Sequence, residues 1–440
     1  MSERSHDRAW PLRLTGEHWS VLLIAFVAFT APAFGQDDAA FFNYFNNVSN
    51  ARPVFYYLEY VPLAPELVAY ALRGLPLVFQ AVLYRVLPFI VMLVLYRELR
   101  GLVRVDRGGT AAGLFAIVAV LLLRVVEANI WANLVFVITP MFLAAALHIL
   151  RINREGRQYS AWAMAAIVLA AVSVPFGILL VPILLAHVPG DQDRRRRLQH
   201  VVLGGLLTAA YAFFNAHALR TAVSLSDPMT IAVTFLHGFR SEYRFNNIVA
   251  TVSLLVLAMA VVEAWWRGRS RVEIVTTVCL AWLGAASVGG VIVSDRLLRG
   301  DGGLGAAHVL PALVAALVVT CRFILDVRDR ERRALLVGVF AGALGVAVVA
   351  EMGGQLRGPL ETALMRYRFL MVAEGFRQHC RDGDGMVYEY EDSSPVVLCR
   401  PRAFSPGRHL QSSFPPTVGS RDPEALEDEQ PLILVGQPLF

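Results

Sequence analysis

Residues 247–294 read NIVATVSLLVLAMAVVEAWW, then RGRSR, then VEIVTTVCLAWLGAASVGGVIVS. The apolar runs 247–266 and 272–294 flank a five-residue loop that carries Arg267, Arg269 and Arg271. A helix needs about 20 consecutive apolar residues to cross the hydrocarbon core of a bilayer. Each run therefore has the length of one crossing. The arginines between them are costly to bury in hydrocarbon, so they mark a loop on one face of the membrane.

The same unit recurs along the chain. A window of about 19 residues predicts eleven spans, at 17–34, 76–96, 110–127, 133–150, 158–173, 175–188, 200–217, 247–266, 272–294, 308–325 and 334–351. With the N-terminus inside, the cytoplasmic segments 1–16, 97–109, 151–157, 189–199, 267–271 and 326–333 hold 21 arginines in 60 residues. The external loops 35–75, 128–132, 218–246 and 295–307 hold 7 in 88. Every second loop is basic. This alternation predicts an all-α polytopic membrane protein, N-terminus in and C-terminus out. The segment 158–188, interrupted by Pro175 and Pro182, is short for two crossings and reads as a tight hairpin of kinked helices. The small residues from Ala31 to Gly35 mimic a signal-peptide cleavage site, but the topology downstream is the same either way.

Composition agrees. Of 440 residues, 56% are hydrophobic and 17% charged, and the mean hydropathy is +0.53. Soluble domains average about 45–50% apolar and about 25% charged, so a cytosolic enzyme, a disordered chain, a collagen-like fibre and a disulfide scaffold are all excluded. The net charge is +5 and all 40 basic residues are arginine. No lysine is present to act as nucleophile or phosphate clamp.

Residues 1–351 form the expected membrane domain, with external loop 35–75. Residues 352–400 form a small external domain and 401–440 an extended proline-rich tail. Cys279 and Cys321 fall in spans and read as small apolar residues. Cys380 and Cys399 fall outside, where an oxidising compartment would favour a disulfide between them. The Asp382–Gly385 turn signal and the alternating runs MVYEYE and VVLC predict a hairpin there.

Chemistry concentrates in the first external loop. Asp37 and Asp38 stand where the first span leaves the bilayer. Phe41, Phe42, Tyr44, Phe45, Phe55, Tyr56, Tyr57 and Tyr60 follow. Two readings fit. The acids cap a helix within an interfacial aromatic belt, or they meet a lipid-borne substrate. In the second case one carboxylate takes a proton from an acceptor hydroxyl while the other orients it or holds a cation.

The run DDAAFFNYFNN resembles the DDAYIxFRYxxN pattern of bacterial members of the GT-C superfamily of integral-membrane glycosyltransferases, including arabinofuranosyltransferase-like enzymes. Asp37, Asp38, Ala39, Phe41 or Phe42, and Tyr44 or Phe45 match its positions, with Asn46 or Asn47 near its asparagine. Asn43 stands in place of the arginine, and Asn50-Ala51-Arg52-Pro53 in place of its glycine-rich end. The resemblance covers the first loop alone. It implies inverting transfer of a sugar from an undecaprenyl- or decaprenyl-phosphate carrier to an extracytoplasmic glycan, lipid or protein. Asp37 or Asp38 would be the general base, at the periplasmic face of a bacterial inner membrane. The implied partners are that donor, the acceptor and membrane lipids, with no nucleic acid. No organic cofactor is implied, and a divalent metal is left open.

A lipid-phosphate leaving group calls for arginine near the outer leaflet. Arg85 lies about 13 Å into the second span at about 1.5 Å per residue. It is either an in-membrane functional residue or part of a wet interfacial helix. Arg124 and Glu127, one turn apart, bind substrate or pair with each other. His237, Arg240 and Arg244 in HGFRSEYRFNN bind phosphate or sugar hydroxyls, or belong to a solvated juxtamembrane helix. Tyr44 would stack on a sugar face. HExxH, Walker, CxxC and GxSxG motifs are absent. The rival functions are an O-antigen polymerase or ligase, a lipid-linked glycan transporter, and a noncatalytic assembly subunit.

Overall fold

The computed structural model describes residues 16–30, 61–73, 77–103, 109–126, 137–191, 193–221, 236–239, 244–293 and 306–355, a few single positions between them, and three strands between 383 and 435. Twelve α-helices occur among the described residues: α1 (Gly16–Thr30), α2 (Leu63–Leu72), α3 (Leu77–Val103), α4 (Gly109–Val126), α5 (Ile138–Glu155), α6 (Ala161–Val172), α7 (Leu180–His187), α8 (Arg194–Thr221), α9 (Arg244–Trp266), α10 (Arg271–Val293), α11 (Ala306–Asp326) and α12 (Arg330–Gln355). Everything described between residues 16 and 355 is helix or the turns between helices. Beyond it, β1 (Gly383–Tyr388), β2 (Val396–Pro401) and β3 (Leu432–Val435) form an antiparallel sheet in that order. Gly385 stands opposite Cys399, and Cys399 opposite Leu432. Cys380, the other half of the expected disulfide, lies outside the described residues.

Among the described residues, four helical stretches are long and apolar enough to cross a membrane: Arg194–Asn215, Arg244–Trp266, Arg271–Gly289 and His308–Asp326. They coincide with the expected spans 200–217, 247–266, 272–294 and 308–325. The segment 158–188 is broken. α6 has 12 residues and α7 has 8, about 18 and 12 Å at the usual rise. Neither alone matches the roughly 30 Å hydrocarbon thickness. The break at Ser173–Phe176 has a local cause. Pro175 cannot donate a helical hydrogen bond, and Gly177 packs so tightly on the end of α6 that a Cβ there would overlap the Ala171 carbonyl.

α3 lies at the centre, against α1, α4 and α5, and α12 lies along α4. α9, α10 and α11 form a second group in mutual contact, and α8 packs on both α6 and α7. Hydrophobic burial drives association weakly where the solvent is lipid, so close packing of small residues carries more weight. Gly284 shows this on α10. A Cβ there would lie 2.7 Å from Leu257 Cδ1 and 3.1 Å from Ala312 Cα, so α9 and α11 approach α10 closely because that side chain is missing. Phe115, Phe142, Met92, Leu95 and Leu99 fill the interior of the central group.

The described parts of the basic segments converge on one end of the bundle. Glu17 of α1 pairs with Arg100 of α3. Glu98 takes two hydrogen bonds from Arg151 of α5, at 2.5 and 3.1 Å, and lies 3.1 Å from His148 Nδ1. Gln158 reaches Asp193 at 3.3 Å, and Arg196 pairs with Asp191 at 2.7 Å. Arg269 pairs with Asp326, and Arg322 with Glu273 at 3.1 Å. Asp193 accepts first from the Arg195 backbone amide and then from Gln158, which holds its carboxyl below the usual carboxylate range.

Candidate functional site

The opposite end is held together by polar groups on otherwise apolar helices. Arg85, on the third turn of α3, is buried, 2% exposed. Its Nη1 donates to the carbonyls of Ala28 (3.1 Å) and Phe29 (3.2 Å) in the last turn of α1. Those carbonyls have no intrahelical donor and sit at the negative end of the helix dipole. The guanidinium thus caps one helix from the side of another, helped by Phe29 packing on Phe89 at 5.7 Å. Arg85 fixes where α1 ends, seven residues before Asp37.

The return of the first loop is fixed in a similar way. α2 begins after Pro62, which provides no side-chain cap. Its early amides find acceptors on other helices. Ala64 N donates to Ser173 Oγ at 2.9 Å and Val61 N to Asn215 Oδ1 at 3.2 Å. Ser173 Oγ in turn donates a hydrogen bond to Leu169 O at 2.7 Å, and Asn215 Nδ2 donates to Val172 O at 2.9 Å. Tyr211 donates to Pro175 O in the break after α6. Asn215 leaves the helical region (φ −119°, ψ 24°), so α8 kinks where its side chain turns to this work. Glu66, in the first turn of α2, is fully buried. On α3, Gln80 Nε2 donates to Leu75 O at 2.7 Å, and the buried Tyr84 lies one turn further along.

Of the candidate site residues named from sequence, Arg85 alone has a described buried environment; Cys279 and Cys321 are buried free thiols, as small apolar residues would be. Asp37, Asp38, Tyr44, Glu127 and Arg240 lie outside the described residues. Arg124 falls on the last turn of α4, with its side chain outside the description. His237 and Arg244 are exposed, Arg244 at the first position of α9. Asn246 and Asn247 beside it anchor the approach to α11 through Leu304 O (2.9 Å) and Leu304 N (3.0 Å). His308 at the start of α11 lies 5.6 Å from the Phe176 ring.

Glu66, Ser173, Asn215 and Tyr211 were missed from sequence. Pro175 was the available signal, because a proline-broken hairpin exposes backbone groups that need partners. Among the described residues no group of three or more His, Cys, Asp or Glu is placed to hold a metal ion. What the site offers is a buried guanidinium, a buried carboxylate, a phenol and two amides around the two ends of the acid-bearing loop. No family model, curated protein or solved structure matches the chain.

Proposed function

We propose that the chain is a multi-pass membrane glycosyltransferase of the GT-C kind. It transfers a sugar from a polyprenyl-phosphate carrier to an extracytoplasmic glycan, lipid or protein, with Asp37 or Asp38 as general base. The observation that carries the reading is the anchoring of the first loop. Arg85 holds the end of α1 and Ser173 with Asn215 hold the start of α2. The acid pair and its aromatics thus belong to a loop held at both ends, and positioning of that kind is what general-base catalysis needs. The arginine-rich end is assigned to the cytoplasm by the positive-inside bias. The acid loop then faces the periplasm of a bacterial inner membrane, on an N-in chain of eleven spans.

In this reading an Asp carboxylate accepts the proton of the acceptor hydroxyl as its oxygen attacks the anomeric carbon. The sugar–phosphate bond breaks and the polyprenyl phosphate departs as an anion. Arg85, Arg124, Arg240 and Arg244 are the cations proposed to receive that charge, with Glu127, His237 and Tyr44 contributing to sugar and acceptor binding. The test is purified protein in nanodiscs with radiolabelled polyprenyl-phosphate sugars and an envelope-glycan acceptor. Time-dependent label in the acceptor with release of polyprenyl phosphate is expected. No transfer from any donor, by protein that is folded and monodisperse, would refute it.

One observation favours a second reading. Buried polar groups lie beside broken helices at Ser173–Phe176 and Asn215, an arrangement that transporters use at substrate sites. A lipid-linked glycan transporter would move its substrate across liposomes without consuming it. A polymerase or ligase of lipid-linked polysaccharide would instead release a lipid diphosphate.

A further inference from the structure

At the arginine-rich end a cavity of about 380 Å³ lies between α9, α10 and α11, with Arg154 from the end of α5 reaching into it. Part of its lining is ionic. Arg322 donates to Glu273 at 3.1 Å, Arg269 pairs with Asp326, and Glu263 lies 3.0 Å from Arg267. Arg267 itself is outside the lining, and Arg269 also lies 3.6 Å from Glu263. Arg154 Nη1 donates to the Leu102 carbonyl at 2.6 Å, and among the described residues no carboxylate makes an ion pair with Arg154. Of the three arginines that line the cavity, Arg154 is therefore the one without a carboxylate partner among the described residues. The hydrogen bond from Arg269 to Asp326 raises the Arg269 guanidinium above its ordinary value.

The wall has the opposite character. Val256 and Met259 of α9 and Val319 and Phe323 of α11 line it, and Met259 and Phe323 are 64% and 48% exposed. Trp265 and Trp266 follow on α9, at 76% and 87% exposure. Exposed tryptophan at the end of an apolar helix marks the headgroup layer. The Arg154 guanidinium beside an open apolar wall at that depth fits an amphiphile with a phosphate head. A soluble anion would use the ionic part and leave the wall idle.

We propose that this cavity binds one anionic phospholipid, its phosphate on Arg154 and an acyl chain along Met259, Val319 and Phe323. Glu263 and Glu273 accept from hydroxyls of its headgroup. The site is at the end opposite Arg85. It shares with the glycosyltransferase reading only the membrane crossing of α9, α10 and α11, and it stands if sugar transfer is never found.

The experiment is native mass spectrometry of the full-length protein in mild detergent, titrated separately with phosphatidylglycerol, phosphatidylcholine and inorganic phosphate. The wild type is expected to retain one phosphatidylglycerol in preference to phosphatidylcholine. Arg154→Gln should lower that occupancy by about tenfold, the worth of one charge-assisted contact. Met259→Trp, which fills the wall and leaves every charge in place, should lower it as well. Arg154→Lys should keep most of it, which separates binding from folding should Arg154→Gln prove unstable. Equal retention in wild type, Arg154→Gln and Met259→Trp would overturn the proposal. So would equal retention of the two lipids, or displacement of the lipid by inorganic phosphate, which would mark a soluble-anion site.

Discussion

Replacing Arg85 by Met keeps the length of the side chain and removes its donors. Two carbonyls, Ala28 O and Phe29 O, then lose a charged partner at 3.1 and 3.2 Å. A hydrogen bond to a charged group contributes about 1.5–3 kcal/mol net, and a cation at a helix C-terminus up to about 2 kcal/mol when partly buried. Part of that loss is offset, because a buried cation no longer has to be kept from water. The balance is a loss of about 2–4 kcal/mol in the attachment of α1 to α3. Local opening of the last turn of α1 should therefore become about 30- to 1,000-fold more frequent. Amide hydrogen exchange of the peptide covering Ile24 to Thr30, in nanodiscs, measures it directly. Arg85→Lys keeps a charged donor and should fall between wild type and Arg85→Met. If Arg85→Met leaves exchange in this turn unchanged, Arg85 does not cap α1 and the anchoring of the first loop is wrong.

Other outcomes follow from the same structure. Arg151→Met strands the nearly buried Glu98 carboxylate and should cost about 3–5 kcal/mol, seen as a sharp fall in the unfolding midpoint, whereas Glu98→Gln with Arg151→Met should recover part of it. Gly177→Ala forces a Cβ into the Ala171 carbonyl and should lower thermal stability, while Gly338→Ala, with open space around it on α12, should be neutral or add up to about 1 kcal/mol of helix stability. For Asp193 the folded-state value is depressed, so its contribution is present above the ordinary carboxylate value and disappears as pH falls through the folded one. The midpoint difference between wild type and Asp193→Asn should be constant above about pH 4 and shrink below it, and a difference that grew in acid would contradict the assignment.

The long uniform helices were legible because both signals that define them are local. Span 272–294 has no charged residue after Glu273, and Arg267, Arg269 and Arg271 precede it, so α10 begins at Arg271. The meeting of the basic segments at one end was implied by their alternation. The ion pairs that join them were not, since Glu98 and Arg151 are far apart in sequence and neither predicts the other. Arg85 could be singled out as a charge inside a span. Its partners could not, because they are backbone carbonyls and carry no residue code. The segment 158–188 was ambiguous for a physical reason. Its prolines announce a break, but the depth at which the chain turns depends on Gly177 packing against α6. Glu66, Ser173 and Asn215 looked like isolated polar residues in apolar runs, and they acquire a role only when α2 folds back on α6 and α8.

The most direct test of the central claim is the envelope glycan of a deletion strain complemented with Asp37→Asn or Asp38→Asn, with expression and membrane insertion matched to wild type. Sugar composition and linkage analysis are the readout. The account predicts that at least one variant inserts normally yet reproduces the missing sugar of the deletion strain. Restoration of the wild-type glycan by both variants would contradict it, and would leave the acid pair as a helix cap in an aromatic belt.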